Sequence, residues 1–422
     1  MGYRARAILL TLVLAGLLPL AGISPAAARP AADSVILFIG DGMGPNQVAM
    51  TEGAIGEKLA MQQMPFSGTV TTTSVHGDIT DSAAAGTALA TGHKTENGMI
   101  ATSPSGQRLE TILERCRKKH KSVGIITTDA LTGATPASFA AHVASRGKRS
   151  EIAEQMVHSR AQVMLGYWKG DFAPKALGGE REDGKDLIAR LTGNGYQVVY
   201  TRDELVKAEK PLLAGFFDDG PQAPRMVDMV KAALARLGRN QEGLFLVIEQ
   251  ARVDWEPGDP SAIVADVLNL DQAVATAVEF ARKRGRTLVV VTADHETGGC
   301  EIVKPELLRV LKGVKEPARD IAQRLNADRT NIGQVMAEYA GLSELTAAEL
   351  TQIREAKDAG DAIGAVISAR AGIAWTSGGD HTATPVRVFA FGPGGDRFSG
   401  EMDNTDIPKR IAEAIGLGAF PK

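Results

Sequence analysis

The sequence predicts an α/β protein built on a largely parallel β-sheet. Five short apolar, β-branched runs have the composition of strands buried on both faces: 34–40, 122–128, 243–250, 287–295 and 386–392. Amphipathic stretches with a helical period lie between them, as at 225–238 and 264–285. Strands that alternate with helices are typical of parallel sheets covered by helices. The alternation therefore indicates the α/β class.

Two segments depart from this alternation. Residues 301–372 are mostly helix-like and charged, so we expect an insertion or cap on a single domain that spans 29–422. At the N-terminus, two arginines precede an apolar run and then small residues, which predicts a signal peptide over 1–28. The apolar run is shorter than the about 20 residues of a membrane-spanning helix. We expect a secreted protein, periplasmic in a bacterium that has a periplasm, without a membrane span once the signal peptide is removed.

Composition excludes several classes of protein. The 422 residues are 44% apolar and carry a formal net charge of −3, which is ordinary for a globular protein. Without a basic excess, binding of nucleic acid by bulk charge is not expected, and an anionic substrate must be bound by local groups. Only two cysteines occur, Cys116 and Cys300, too few for a disulfide scaffold. The sequence leaves open whether they pair.

Carboxylates and histidines flank four of the five predicted strands: Asp41, Glu249, Asp254, Asp294, His295 and His381. Functional sites of open α/β sheets lie at the carboxyl ends of the strands. Carboxylates gathered there repel one another unless cations neutralise them, which favours a metal site. The glycine-rich turn around Asp41 also suggests a dinucleotide loop, but its carboxylate would repel a pyrophosphate.

Ser82 has two interpretations. It stands in the stretch DITDSAAAGTALATG, where Asp and Ser are common helix caps, so on its own the serine favours a cap over a nucleophile. The other candidates have structural alternatives as well: Asp41 as a turn residue and Glu249 as a buried ion-pair partner. Taken one at a time, these residues leave the structural alternatives open. The combination of motifs favours catalytic and metal-binding roles.

The combination resembles the alkaline phosphatase family. The motifs FIGDGMG, DSAAAGTALATGHKTENG, ATPASFAAHVASR, VDW, TADHETGG and GGDHT occur in the family's order over nearly the whole mature chain. The resemblance implies a three-layer αβα sandwich with a largely parallel sheet. It also implies a secreted, metal-dependent phosphomonoesterase with two zinc ions (Zn²⁺) and one magnesium ion (Mg²⁺), usually as a homodimer.

The resemblance implies a role for each matched residue. Ser82 is the nucleophile that becomes a phosphoserine, and Arg146 binds two phosphoryl oxygens through its planar guanidinium. The implied metal ligands fall into three sets: Asp41, Asp294 and His295 for one zinc; Asp41, Thr135 and Glu249 for magnesium; Asp254 and His381 for the other zinc.

The sequence departs from the family at three positions. Relatives carry a histidine four residues after the aspartate matched by Asp254, and this chain has Gly258 there. The nearest acidic substitutes are Asp259, Glu256 and Asp380. We predict Asp259 as the replacement ligand, which would favour Mg²⁺, Mn²⁺ or Ca²⁺ over zinc at the Asp254/His381 site. Gly133 and Trp255 stand where relatives carry acidic, basic or imidazole groups, so we expect the surroundings there to be apolar or empty.

Other activities of the same superfamily are alternatives to hydrolysis of small phosphate monoesters. A phosphodiesterase, a sulfatase or a phosphomutase would also place metal ligands at strand ends. Ser82 and Arg146 in their motifs favour the monoesterase. A metal- or phosphate-binding protein with weakened turnover is a further alternative, because one histidine ligand is missing.

Overall fold

The predicted α/β architecture is confirmed in the computed structural model, which describes residues 2 and 31–421. The predicted signal peptide, 1–28, lies outside the described residues apart from residue 2. The described chain folds around one ten-stranded sheet and two small two-stranded sheets. Helices surround the large sheet and place its apolar strands in a continuous core.

The strands of the described part of the chain are β1 (Ser34–Gly40), β2 (Phe66–Thr71), β3 (Ser122–Ala130), β4 (Val163–Tyr167), β5 (Gln197–Val199), β6 (Leu213–Phe217), β7 (Leu244–Gln250), β8 (Thr287–Ala293), β9 (Glu296–Thr297), β10 (Cys300–Ile302), β11 (Ile373–Trp375), β12 (His381–Thr382), β13 (Val386–Phe391) and β14 (Gly400–Asp403). The order in the large sheet is β14-β2-β13-β8-β1-β7-β3-β4-β6-β5. Strands β10 and β11 pair with each other, as do β9 and β12.

The α-helices of the same residues are α1 (Pro45–Ile55), α2 (Ser82–Thr91), α3 (Ile112–Lys118), α4 (Ala134–Ala140), α5 (Arg149–Ser159), α6 (Leu187–Gly193), α7 (Arg202–Lys207), α8 (Met226–Leu237), α9 (Pro260–Arg284), α10 (Ala318–Ala322), α11 (Ile332–Tyr339), α12 (Ala347–Glu355), α13 (Ala359–Arg370) and α14 (Asp406–Ala414). Short 3₁₀ helices lie at Met61–Gln63, Gly170–Phe172, Lys175–Leu177, Arg252–Asp254, Pro305–Gly313 and Gly395–Phe398.

The centre of the sheet positions the predicted site. Strand β1 lies between β7 and β8, parallel to both, and every residue of the three strands is buried. The five predicted strand runs coincide with β1, β3, β7, β8 and β13, of which β13 is antiparallel to its neighbours. Because β1, β3, β7 and β8 run in one direction, their carboxyl ends meet at one edge of the sheet.

Helix α9 is the one described helix that is long and apolar enough to cross a membrane by length and composition alone. It packs against α8, β8 and α1, and half of its most apolar window is buried within the protein. These contacts are those of a core helix of the α/β layers. The two predicted helices at 225–238 and 264–285 correspond to α8 and α9.

Residues 303–372 connect β10 to β11 through the 3₁₀ helix Pro305–Gly313 and four helices, α10 to α13. This is the segment for which the sequence predicts an insertion or cap. Both cysteines are buried and free, so the question of pairing that the sequence left open is answered for the described residues.

Candidate active site

The ends of β1 and β8 bring two carboxylates and a histidine together. Asp41 follows β1 and its N–H donates to the carbonyl of Gln250 at 2.9 Å, which ties the turn to the end of β7. The next residue is Gly42 with φ +72°, and a Cβ there would lie 2.9 Å from the Cα of Asp254. Only glycine allows this close approach of the 3₁₀ helix that carries Asp254.

The ring of His295 is the centre of the first ligand group. Its Nε2 lies 3.3 Å from Asp41 Oδ1, 3.2 Å from Asp294 Oδ2 and 3.2 Å from Ser82 Oγ. The other oxygen of Asp294 accepts the N–H groups of Gly42 at 3.2 Å and of His295 at 2.9 Å. This leaves Asp294 Oδ2 facing His295 Nε2. Asp41, Asp294 and His295 offer ligand atoms within 4.8 Å of one another.

The donor set of this group fits a divalent cation. Asp41 Oδ1 and Asp294 Oδ2 are buried and have no hydrogen-bond partner within the described residues. Burial and the neighbouring Asp294 raise the pKa of Asp41 well above its ordinary value. A buried acceptor without a donor is rare in proteins, and two in one cluster of carboxylates indicate a missing positive charge.

Ser82 is the first residue of α2 and is 3% exposed. It does not cap the helix: Asp81 does, by accepting the N–H of Ala84 on Oδ1 at 2.9 Å. The capping interpretation of Ser82 is therefore wrong. Its hydroxyl is left free to face His295, a contact between residues 213 positions apart that sequence spacing could not reveal.

Asp81 also holds Arg146, a contact that the sequence analysis missed. Its Oδ2 accepts the N–H of Gly98 at 3.0 Å and lies 3.2 Å from Arg146 Nη1. The Arg146 N–H in turn donates to the carbonyl of Gly98 at 2.7 Å. The Arg146 side chain is 45% exposed, so its remaining donors are available to an anion. One carboxylate thus links the helix of Ser82 to Arg146.

The pairing of β9 with β12 brings His381 to a second ligand group. His381 lies opposite Thr297, and its ring stacks on that of His295 with centroids 3.5 Å apart. Its Nδ1 donates to the carbonyl of Thr80 at 2.9 Å, and its Nε2 lies 3.6 Å from Asp254 Oδ1. Asp254, His295 and His381 have ligand atoms within 4.8 Å of one another.

In the second group, the charged forms of His381 and Asp254 stabilise each other. Burial lowers the pKa of His381, but the contact with Asp254 outweighs it and raises the pKa to about 9. Burial likewise opposes ionisation of Asp254, yet the hydrogen bond with His381 holds the pKa of its carboxyl below the ordinary value. Thr297 Oγ1 donates to the same Asp254 oxygen. Asp254 is therefore an anionic group that could serve as a metal ligand.

Asp259 does not join this group, which corrects the prediction that it is the third ligand. Its Oδ1 accepts the N–H groups of Ser261 at 2.9 Å and Ala262 at 3.2 Å, so it caps α9. Its Oδ2 accepts the N–H of Ala318 at 2.6 Å. Both oxygens are used in joining α9 to α10, and the carboxylate is not available to a metal.

No described carboxylate replaces the missing histidine. A Cβ at Gly258 would have open space around it, so no neighbouring side chain fills that position. The adjacent Glu256 is paired with Arg319. Within residues 31–421 the second group therefore consists of Asp254 and His381, with His295 shared between the two groups.

Glu249 and Thr135 lie beside the first group rather than in it. Glu249 is buried at the end of β7, where Thr127 Oγ1 donates to its Oε2. Burial, reinforced by the charge of Asp129, raises the pKa of Glu249 to about 8. Thr135, on α4, is 1% exposed; its Oγ1 faces Glu249 but makes no well-formed hydrogen bond among the described residues.

The space beside Gly133 is neither apolar nor empty, contrary to the expectation from the sequence, whereas Trp255 has an aromatic neighbour. A Cβ at Gly133 would overlap Asp129 Oδ2, so a carboxylate occupies that space. Trp255 stacks on Trp168 with centroids 5.8 Å apart, and the Arg252 guanidinium lies 5.3 Å from its ring. A polar group from another position therefore lies beside Gly133, and a cation lies over the ring of Trp255.

The sequence matches the family model for alkaline phosphatase over residues 32–417. The chain belongs to the alkaline phosphatase family. Alkaline phosphatase 3 of Bacillus subtilis is 32% identical over 424 residues, which cover 90% of this chain and 88% of the relative.

Solved alkaline phosphatases have the same fold. The crystal structure of the Thermus thermophilus enzyme gives a TM-score of 0.81 at 28% identity and covers 96% of this chain and 97% of that one. A variant of the TAB5 alkaline phosphatase, solved with Mg bound in its M3 site, gives a TM-score of 0.69 at 26% identity over 93% of this chain and 100% of that one. The resemblance predicted from the motifs is therefore confirmed, and the protein is an enzyme of this family.

Proposed function

We propose that this alkaline phosphatase hydrolyses small phosphate monoesters through a phosphoserine on Ser82. The observation that carries the proposal is the convergence of Ser82 Oγ, Asp41 Oδ1 and Asp294 Oδ2 around His295 Nε2, at 3.2 to 3.3 Å. A lone serine hydroxyl is a weak nucleophile and needs an activating group. The buried acceptors around Ser82 suit a divalent cation, which supplies that activation.

Three sets of residues would hold metal ions. Asp41, Asp294 and His295 form the first, with the mixed oxygen and nitrogen donors that suit zinc. Asp41, Thr135 and Glu249 form an all-oxygen set that suits magnesium. Asp254 and His381 form the third. When bound, the ions would lower the pKa of the serine hydroxyl and neutralise charge on the phosphoryl and leaving oxygens.

The chain's own residues then have distinct tasks. Arg146, held by Asp81, binds two phosphoryl oxygens and orients the phosphorus towards Ser82. The Ser82 oxygen forms a bond to phosphorus while the bond to the alcohol oxygen breaks. Water then attacks phosphorus, the bond to Ser82 breaks, and inorganic phosphate is released. Ser82 is only 3% exposed, so only the small phosphoryl group of a substrate reaches it. The site therefore makes few contacts with the alcohol group and discriminates little between alcohols.

The third set should hold its metal weakly. Asp254 and His381 are its two dedicated ligands, because Gly258 has no side chain and Asp259 caps α9. Fewer nitrogen donors reduce the preference for zinc, so Mg²⁺, Mn²⁺ or Ca²⁺ can compete at this position. Export to the periplasm and assembly into a homodimer stay predictions from the signal peptide and the family resemblance.

A substrate panel tests the proposed reaction. Hydrolysis of an aryl phosphate, an aryl phosphodiester and an aryl sulfate is compared at equal enzyme and metal concentrations. We expect the monoester to have by far the highest kcat/KM. A higher value for the diester or the sulfate would favour the other superfamily activities, and binding of phosphate without any turnover would favour a binding protein.

A further inference from the structure

Asp129 lies at the carboxyl end of β3, the strand next to β7 in the sheet. We propose that Asp129 is a further oxygen ligand of the metal site formed by Asp41, Thr135 and Glu249, and that its carboxylate occupies the space left by Gly133. The inference rests on the proposed function, because it takes these residues to bind a divalent cation.

The pairing of β3 with β7 places Asp129 beside Glu249. Thr127 lies opposite Glu249 in the parallel register. Its Oγ1 donates to Glu249 Oε2 and accepts the N–H of Asp129 at 2.9 Å. One hydroxyl thus links the two acidic residues.

Because Gly133 has no side chain, the space beside it is available to the Asp129 carboxylate. This glycine precedes α4, whose second residue is Thr135. A Cβ at position 133 would overlap Asp129 Oδ2, so the two positions compete for one place beside the start of α4. With φ −55° and ψ 157°, the backbone at Gly133 suits any residue, and space alone explains the glycine.

The Asp129 carboxylate has no ion-pair partner in the described residues. Its Oδ1 accepts the N–H of Ala130 at 2.6 Å, and no hydrogen bond there reaches its Oδ2. The three nearby arginines each pair with another carboxylate: Arg146 with Asp81, Arg149 with Asp171 and Arg252 with Asp219. Oδ2 is therefore free to bind a cation.

An independent observation points to the missing cation. Thr135 Oγ1 belongs to a side chain that is 1% exposed; it faces the Glu249 carboxylate but makes no well-formed hydrogen bond within residues 31–421. The buried Asp41 Oδ1 is unpartnered as well. Carboxylate and hydroxyl oxygens are the donors that a hard cation such as Mg²⁺ prefers. Asp41, Asp129, Thr135 and Glu249 would supply four oxygen donors to such an ion, from the ends of β1, β3 and β7 and the start of α4.

Binding of Mg²⁺ tests this role directly. The full chain and its Asp129→Ala and Asp129→Asn variants are stripped of metal, reloaded with zinc and dialysed against a series of Mg²⁺ concentrations, and bound metal is measured by mass spectrometry. We expect Mg²⁺ affinity to fall about 10- to 100-fold in both variants, with zinc content unchanged. Asp396→Asn is the matched control, because it removes an exposed carboxylate that pairs with Arg397 and should leave Mg²⁺ affinity unchanged.

Transferring the carboxylate from position 129 to position 133 provides a second test. Gly133→Asp alone should weaken Mg²⁺ binding, because the new side chain overlaps Asp129. In the Asp129→Ala background the same substitution has space, with Ala130 O at 3.0 Å as the next neighbour, and should restore most of the lost affinity. Rescue requires a carboxylate at this place and would not follow from a general defect in folding.

The alternative is that Asp129 only positions Arg146. In that case Asp129→Ala would weaken inhibition by inorganic phosphate and leave Mg²⁺ affinity intact, which would overturn the proposal. If the wild type hydrolyses aryl phosphates and the Asp129 variants bind Mg²⁺ as tightly as the wild type does, only the role of Asp129 is refuted. Absence of both turnover and Mg²⁺ binding in the wild type would refute the proposed function as well.

Discussion

Replacing Asp259 by alanine separates a structural carboxylate from a metal ligand. The substitution removes the cap of α9, which is worth about 1 kcal/mol, and leaves the Ala318 N–H without its acceptor. Ala318 is 1% exposed, and a buried donor without a partner costs about 1 to 3 kcal/mol. The two effects together predict a loss of about 2 to 4 kcal/mol in the free energy of unfolding.

Urea unfolding with and without chelator measures this loss. A cap stabilises the protein whether or not metal is bound, so the loss should be the same under both conditions. A ligand would stabilise only the metal-loaded protein. The control Asp186→Ala removes an exposed cap of α6 and should lose only about 1 kcal/mol. Unchanged stability in chelator, together with a lower metal content of the loaded Asp259→Ala protein, would refute the assignment.

Three further outcomes are expected. Arg146→Ala should lower kcat/KM for an aryl phosphate about 30- to 150-fold, the equivalent of about 2 to 3 kcal/mol, with partial recovery in Arg146→Lys; an effect under threefold would contradict its contact with the phosphoryl group. Excess EDTA should abolish activity, and divalent metal rather than fresh buffer should restore it; full activity after long incubation would exclude a metal enzyme. Metal-stripped protein should lose stability in urea as the pH rises through about 8. The reason is that burial raises the pKa of Glu249 above its unfolded value near 4.5, so the protonated carboxyl stabilises the fold. Constant stability between about pH 5 and 9 would contradict this.

The sequence predicted the sheet because its central strands are continuous apolar runs with clear limits. The sequence was less informative about the two edge strands of the sheet, because β5 has three residues and β14 has four, too few for a periodic pattern. The motifs identified the residues around Ser82 and His295, since each motif is local. Distances between motifs, such as the 3.2 Å from Ser82 Oγ to His295 Nε2, depend on the packed sheet edge.

Asp259 and Asp129 show where local reasoning fails and where it could have gone further. An aspartate before a proline at a helix start is a capping signal, but the contact of Asp259 with Ala318 spans 59 positions and is not visible in the sequence. Asp129 directly follows the predicted strand 122–128, so the rule that functional residues follow strands would have found it if applied to that strand as well.

Acid-quenched mass spectrometry tests the central claim most directly. The enzyme is mixed with an aryl phosphate at a pH low enough to slow hydrolysis of the intermediate, quenched in acid, digested and sequenced. We expect a single phosphate on the peptide that contains Ser82, and no phosphorylated peptide from Ser82→Ala, whose kcat should fall by orders of magnitude. Rapid turnover by Ser82→Ala, or phosphate on another residue, would contradict the account.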